Sequence, residues 1–331
     1  MGPKRDLSAE NRVRSFYEGA GWEANSNGYT TDAQLWEDLR PFAADYIRAC
    51  RRKLLHYLPV SGERILDAAS GPIKYPEYVE YSRGFKKRIC VDISQKALDQ
   101  AKARLGDHVE PVCVSILELP FEDSSLDAVI SLHTIYHIDK DQQEAAVRQL
   151  LRVAKPGAPV VIIYSNPNKL LSRIKRIANA PLNALLSRKN TQEDTKGHLY
   201  FHTHPNSWWN RFRDAAALEI HPWRALTAED ARLRAPSMLG EGIGHAVLSG
   251  VLGFERIFPR LAADLGAYPL IVLKKSWYLT TWKPWWIVLV ILDSRSRVSA
   301  RTGHWMLKTN VLRPPGNLLE ARKNTAIRVV L

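Results

Sequence analysis

The 331-residue sequence predicts an α/β fold, a parallel sheet with helices packed on both faces. Three observations carry the prediction. Short apolar runs alternate with helical stretches between residues 62 and 164. The runs are apolar on both faces, as Val160-Val161-Ile162-Ile163 shows, and strands covered on both sides read that way. The first run ends in a turn of small residues, Ala68-Ala69-Ser70-Gly71, and the second ends in an acidic residue, Asp92.

The elements follow in order. Residues 8–57 carry no strand signal and read as helical. Thr31-Asp32-Ala33 is a helix start, and Trp36, Leu39, Phe42, Ala43 and Ile47 recur at helical spacing. Strands are expected at 64–67, 88–92, 109–114, 127–132 and 159–164, with helices at 95–105 and around 142–153. After Asn166-Pro167 the pattern breaks. Residues 168–190 read as a basic amphipathic helix, with Leu170, Leu171, Ile174, Ile177 and Ala178 on one side and Lys169, Arg173, Lys175 and Arg176 on the other. A helix near 206–217, a strand at 218–222, a helical stretch over 227–265 and a final strand at 268–273 complete the reading. The expected organisation is a helical N-terminal lid at 1–57 and an α/β domain at 58–275. Inserts fall at about 166–205 and 224–266, and a basic, Trp-rich extension covers 276–331.

Composition narrows the function classes. The three cysteines, Cys50, Cys90 and Cys113, are scattered and match no zinc spacing, so a reducing, cytoplasmic setting is expected. The polar N-terminus lacks the apolar run of a signal peptide, and no segment has the 18 or so apolar residues of a membrane span. The net charge is +13, yet residues 1–164 carry 22 basic and 23 acidic side chains. Residues 165–200 carry 7 and 2, and residues 293–331 carry 8 and 2, so the positive field belongs to the insert and the tail. Such a field either serves solubility or attracts acidic partners.

Four motifs carry chemistry. Ile65-Leu66-Asp67-Ala68-Ala69-Ser70-Gly71-Pro72 joins a strand to a turn on which a nucleoside can approach main chain, with Gly71 the key small residue. The third glycine position of a dinucleotide fingerprint is Ile73, so a pyrophosphate cradle is missing and NAD is disfavoured. Cys90-Val91-Asp92-Ile93-Ser94 ends the second strand. Asp92 can accept hydrogen bonds from ribose hydroxyls or cap the next helix; Ser94 is the better cap, which leaves Asp92 free for a ligand. The third is Val114-Ser115-Ile116-Leu117-Glu118-Leu119-Pro120-Phe121, and the fourth is Leu151-Arg152-Val153-Ala154-Lys155-Pro156-Gly157.

In this order and spacing the four segments resemble class I S-adenosylmethionine-dependent methyltransferases, in their quinone-biosynthesis-like (methyltransferase type 11) subgroup. The resemblance covers residues 60–165 well and reaches weakly to 275. It implies a Rossmann-like, doubly wound sheet of seven strands in order 3-2-1-4-5-7-6, the last antiparallel. It implies S-adenosyl-L-methionine as cofactor, with Asp67, Ala69, Ser70 and Gly71 at the methionine part, Asp92 at the ribose and Ile93 packing on the adenine. Ser115 and Ile116 come where the family contacts the adenine. Two departures stand out: Ala69 replaces the first glycine of the turn, and Ser115 replaces the usual Asp.

The acceptor is expected beyond the carboxyl ends of the strands. His133 emerges first after the fourth strand, and His137 matches a His frequent in the family. His202 and His204, two apart, face one side of an extended segment. His133, His137 and His202 are the catalytic candidates, each set against a packing or loop-holding role. No third ligand completes a metal site. Tyr17 or Tyr29 would close over the cofactor, or simply pack. The basic helix and the Trp-rich stretch from Trp277 to Trp286 either cover the core or touch an anionic membrane and admit a lipid-like acceptor. The expectation is a methyltransferase acting on a small molecule, on an oxygen of a glycan or lipid-like compound, in the cytoplasm or at the inner face of a membrane. An RNA methyltransferase is the alternative, disfavoured because no RNA-binding module is evident; a non-catalytic protein that binds the cofactor is another.

Overall fold

The computed structural model describes residues 7–23, 30–170, 172–173, 199–234 and 240–276. Tyr29, most of the expected basic helix at 168–190 and the extension from 277 onward lie outside the described residues.

The sheet comprises β1 (Gly62–Ala68), β2 (Phe85–Asp92), β3 (Val109–Cys113), β4 (Ala128–Leu132), β5 (Pro159–Ile163), β6 (Ala216–Arg224) and β7 (Tyr268–Lys275). Their order is β3-β2-β1-β4-β5-β7-β6, as the resemblance implies, with β7 antiparallel to both β5 and β6. Side chains alternate between two covered faces. Leu66, Ala68, Val160 and Ile162 pack into one core, and Ile65, Val161 and Ile163 into the other. Val160, Val161, Ile162 and Ile163 of β5 are 0 % exposed, each worth roughly 1.5–3 kcal/mol of apolar burial. That two-sided burial is why the run carries no polar alternation.

The N-terminal region is helical, as expected: α1 (Leu7–Phe16), α2 (Thr31–Trp36) and α3 (Ala44–Arg52). The Thr30 hydroxyl caps α2 by accepting from the Ala33 N–H. The helical spacing over 36–47 is not one helix, because Glu37 and Arg40 are extended. Pro41 disfavours a helical residue before it and starts a new turn, so Trp36 ends half-exposed.

Beyond β2 come α5 (Gln95–Leu105), as expected, and later α6 (Gln143–Val153); α4 (Pro76–Glu80) is a short helix between β1 and β2. Two expectations are corrected. Residues 206–217 are not an α-helix: a 3-10 helix spans Asn206–Phe212, burying Trp208, Trp209 and Phe212, and Ala216 already pairs with β7. The helical stretch over 227–265 is divided into α7 (Ala228–Arg234), α8 (Glu241–Ile257) and α9 (Pro259–Leu265). Gly240 at φ 81° precedes α8, and Pro259 restarts the chain as α9.

Candidate functional site

The carboxyl ends of the parallel strands form one edge of the sheet, and the sequence motifs meet there. After β1 the chain turns through Ala69, Ser70 and Gly71. Ala69, Gly71 and Ile73 all have positive φ, at 59°, 56° and 52°. Only Gly71 adopts that geometry without strain, and an L-residue there costs about 1–2 kcal/mol. The turn is held by Ser70 donating its N–H to the Val91 carbonyl at 3.0 Å.

Asp92 lies beneath this turn, 7 % exposed. Its carboxylate accepts the Gly71 N–H at 2.9 Å and the Ser94 N–H at 2.9 Å. The expectation that Ser94 caps α5 holds, since its hydroxyl accepts from the Ala97 N–H at 3.2 Å. Asp92 is nevertheless not free: each oxygen already takes one amide and keeps one lone pair. Burial is the largest influence and pushes the Asp92 carboxyl up to about 6, against the amides of Ser94, Gly71 and Ile93. Asp67 is buried and ion-paired to Arg88 through Oδ2, while its Oδ1 is buried without a hydrogen-bond partner among the described residues. Ile93 is partly buried and Ile116 is 5 % exposed.

Sequence reasoning missed two contributors. The Ser115 hydroxyl donates to the Glu10 carboxylate of α1 at 2.9 Å, so an acidic group stands beside the position where the family pattern has its Asp. Trp22 lies over the cofactor turn, where a methyl placed on Gly71 would come within 3.2 Å of the indole. Tyr17 stacks on Trp22 with ring centroids 4.6 Å apart and donates to Asp32 at 3.4 Å. Lys74 bonds Asp32 at 3.0 Å, and Lys96 bonds the Gly19 carbonyl at 3.0 Å. The N-terminal segment is thus tied across the turn by contacts that no local sequence pattern announces.

These residues fit S-adenosylmethionine. Gly71 lets main chain approach, Asp92 and Glu10 offer carboxylate oxygens, and Asp67 Oδ1 is an acceptor with no donor among the described residues.

On the other side of Gly71 the edge is aromatic. His133, at φ 59°, follows β4. Its Nδ1 is 3.0 Å from the Tyr136 hydroxyl, and its ring lies 4.6 Å from Trp223 and 5.2 Å from Tyr268. Burial pushes the His133 imidazole well below its ordinary range, and Arg224, His137, Arg51 and Lys74 push the same way, so it is neutral near pH 7. His137 is held by a 2.8 Å bond from Nδ1 to the Tyr200 carbonyl, which puts its proton on Nδ1. Burial lowers its pKa as well. The structure does not bring His202 into this group. Its ring packs on His204 at 5.0 Å, its N–H bonds the Tyr136 carbonyl at 2.8 Å, and its charged neighbours are Lys140, Asp139 and Asp141. Among the described residues no His, Cys, Asp and Glu group could hold a metal ion, and no helix is long and apolar enough to cross a membrane.

Residues 66–162 match the family described as "Methyltransferase domain". Fold, turn and carboxylate together define a class I S-adenosylmethionine-dependent methyltransferase domain, and S-adenosylmethionine is its cofactor. The chain is 35 % identical over 112 residues to a demethylmenaquinone methyltransferase of Clavibacter sepedonicus, covering 33 % of this chain and 44 % of that protein. It is 33 % identical over 127 residues to a ubiquinone/menaquinone biosynthesis C-methyltransferase of Pseudomonas putida, covering 34 % and 46 %. The chain therefore spans less than half the length of these two relatives. Among solved structures, a geranyl diphosphate C-methyltransferase from Streptomyces coelicolor aligns over 83 % of this chain and 99 % of that one, with a TM-score of 0.48 and 16 % identity.

Proposed function

We propose that this chain transfers the methyl group of S-adenosylmethionine to a small-molecule acceptor, on an oxygen of a lipid-like or glycan compound. The observation that carries the reading is the buried Asp92 carboxylate under Gly71, an acceptor pair placed where a nucleoside can reach main chain. When bound, the cofactor supplies an electrophilic methyl group.

The chain's own residues do the rest. Asp92 takes the ribose hydroxyls on its remaining lone pairs, and Asp67 Oδ1 is the acceptor available to the methionyl ammonium. Trp22 and Tyr17 close over the turn and exclude water. Methyl transfer is a direct displacement, so alignment of acceptor and donor is the main requirement. His133 follows β4, the strand paired with β1, and is the group we assign to the acceptor's side of the cofactor turn. Being neutral, it can take the proton of an attacking hydroxyl. The rings of Tyr136, Trp223 and Tyr268 around it suit an apolar or ring-bearing acceptor. His137, committed to the Tyr200 carbonyl, positions the loop, and His202 has no part in this reading.

The test is incubation of the protein with methyl-labelled S-adenosylmethionine and separate lipid, glycan and RNA fractions. Label is expected in lipid or glycan, and label confined to RNA would overturn the acceptor class. His133→Gln is expected to reduce that labelling at least about tenfold while leaving S-adenosylhomocysteine binding intact. Labelling unchanged in this variant removes the base role.

A further inference from the structure

Three arginines are buried among the described residues: Arg51, Arg88 and Arg224. Arg51 holds Glu37 at 2.8 Å and Glu77 at 3.4 Å. Arg88 holds Asp67. Arg224 is 6 % exposed, and among the described residues no carboxylate lies within ion-pair distance of it. Its Nε is buried without a hydrogen-bond partner, as is the indole N–H of the adjacent Trp223. Glu37 and Tyr46 act on Arg224 electrostatically, but Glu37 is bonded to Arg51 and the Tyr46 hydroxyl to Glu255. The guanidinium rests against rings instead, 5.1 Å from Trp223 and 4.9 Å from Tyr268. Ring faces offset only part of the desolvation of a buried cation.

The position of this unpaired cation gives it meaning. Arg224 ends β6 opposite Tyr268, the first residue of β7, at the same sheet edge as the ends of β4 and β5. The two rings that flank its guanidinium, Trp223 and Tyr268, also flank His133, at 4.6 Å and 5.2 Å. A planar guanidinium beside the proposed acceptor position is suited to a planar or tetrahedral oxyanion, which it binds through paired N–H groups.

We propose that Arg224 binds an anionic group of the methyl acceptor, a carboxylate or a phosphate, next to the Trp223–Tyr268 pair that lines the His133 site. The inference rests on the acceptor site proposed above and names the class of molecule that enters it. An acidic group anchors at β6, and the remainder of the molecule lies along the aromatic edge toward the methyl donor.

The experiment titrates benzoate and phenyl phosphate into the full-length protein by calorimetry, with and without S-adenosylhomocysteine. The same titrations use Arg224→Gln, Arg224→Lys and, as a control, the exposed Arg213→Gln. At least one probe is expected to bind the wild type and the control alike. Arg224→Gln should bind it at least about tenfold more weakly, with Arg224→Lys in between. The stronger probe distinguishes a carboxylate from a phosphate. Failure of both probes to bind, or equal binding to Arg224→Gln and wild type, overturns the proposal. S-adenosylhomocysteine binding, measured on the same samples, reports the fold of each variant. Its failure with the wild type would count against the cofactor reading, while the titration without it still decides Arg224. Should Arg224→Gln not fold, the ratio of Arg224→Lys to wild type decides, and a ratio of one overturns the proposal.

Discussion

Lowering the pH from about 8 to about 5 is expected to weaken S-adenosylhomocysteine binding about tenfold, through Asp92. The magnitude follows from its surroundings. Burial raises this carboxyl from its ordinary value of 3.8 to about 6, with Asp67 adding to the rise and the Ser94 and Gly71 amides opposing it. At about pH 5 roughly a tenth of the ligand-free molecules carry the carboxylate, whereas at about pH 8 nearly all do. Ribose hydroxyls donate to the ionised form, and a proton on Asp92 takes one of the two acceptor positions they need. The same rise has a consequence for stability. A carboxyl raised in the folded state stabilises the fold below about pH 4, and that contribution fades as pH rises through about 6. The difference is about 3 kcal/mol for this rise. Ligand-free protein should therefore lose stability from this group over the interval in which it gains affinity. Calorimetry in steps of about one pH unit measures the affinity, and thermal melts measure the stability. Asp92→Asn cannot ionise, so its binding should be weak and flat across the range, which separates Asp92 from the neutral histidines nearby. Wild-type affinity unchanged between about pH 8 and about pH 5, or an equal pH dependence in Asp92→Asn, would refute the reasoning.

Two further predictions concern the departures from the family pattern. Ala69→Gly removes the strain of an L-residue at φ 59° but adds freedom to the unfolded chain, for a net gain of about 1 kcal/mol, seen as a rise of a few degrees in Tm; an unchanged or lower Tm would mean the turn carries no strain at this position. Glu10→Gln keeps the shape beside Ser115 but turns an acceptor-only carboxylate into an amide. It is expected to bind S-adenosylhomocysteine several-fold more weakly, and to lose the preference for it over the inosine analogue that lacks the adenine amine. Equal discrimination by wild type and variant would remove Glu10 from the adenine site.

Much of the fold was legible because its signals are local. A strand covered on both faces must be apolar throughout, so β5 could be read from four residues. The helix expected at 95–105 appears with those bounds because Ser94 caps it and Gly106 ends it at φ 58°. The misreadings fell where packing overrides periodicity. A 3-10 helix buries Trp208, Trp209 and Phe212 where a longer α-helix was expected, and Pro41 broke a helix whose apolar spacing looked continuous. Asp92 was found, but its two amide partners were not, since one of them lies 21 residues away across the turn.

By itself the sequence determined the succession of the seven strands, the small-residue turn at Gly71 and the acidic end of β2, because each depends on residues adjacent in the chain. Only the tertiary structure decided that Glu10 reaches Ser115, that Trp22 covers Gly71, that His133 faces Trp223 and Tyr268 while His202 does not, and that Arg224 is buried with no carboxylate at ion-pair distance among the described residues. The contacts among them join segments from about 50 to about 135 residues apart. A charge at the end of a strand reads the same whether it meets solvent, an acidic side chain or an aromatic wall. Burial and partners, set by the packing of the whole sheet edge, distinguish these cases.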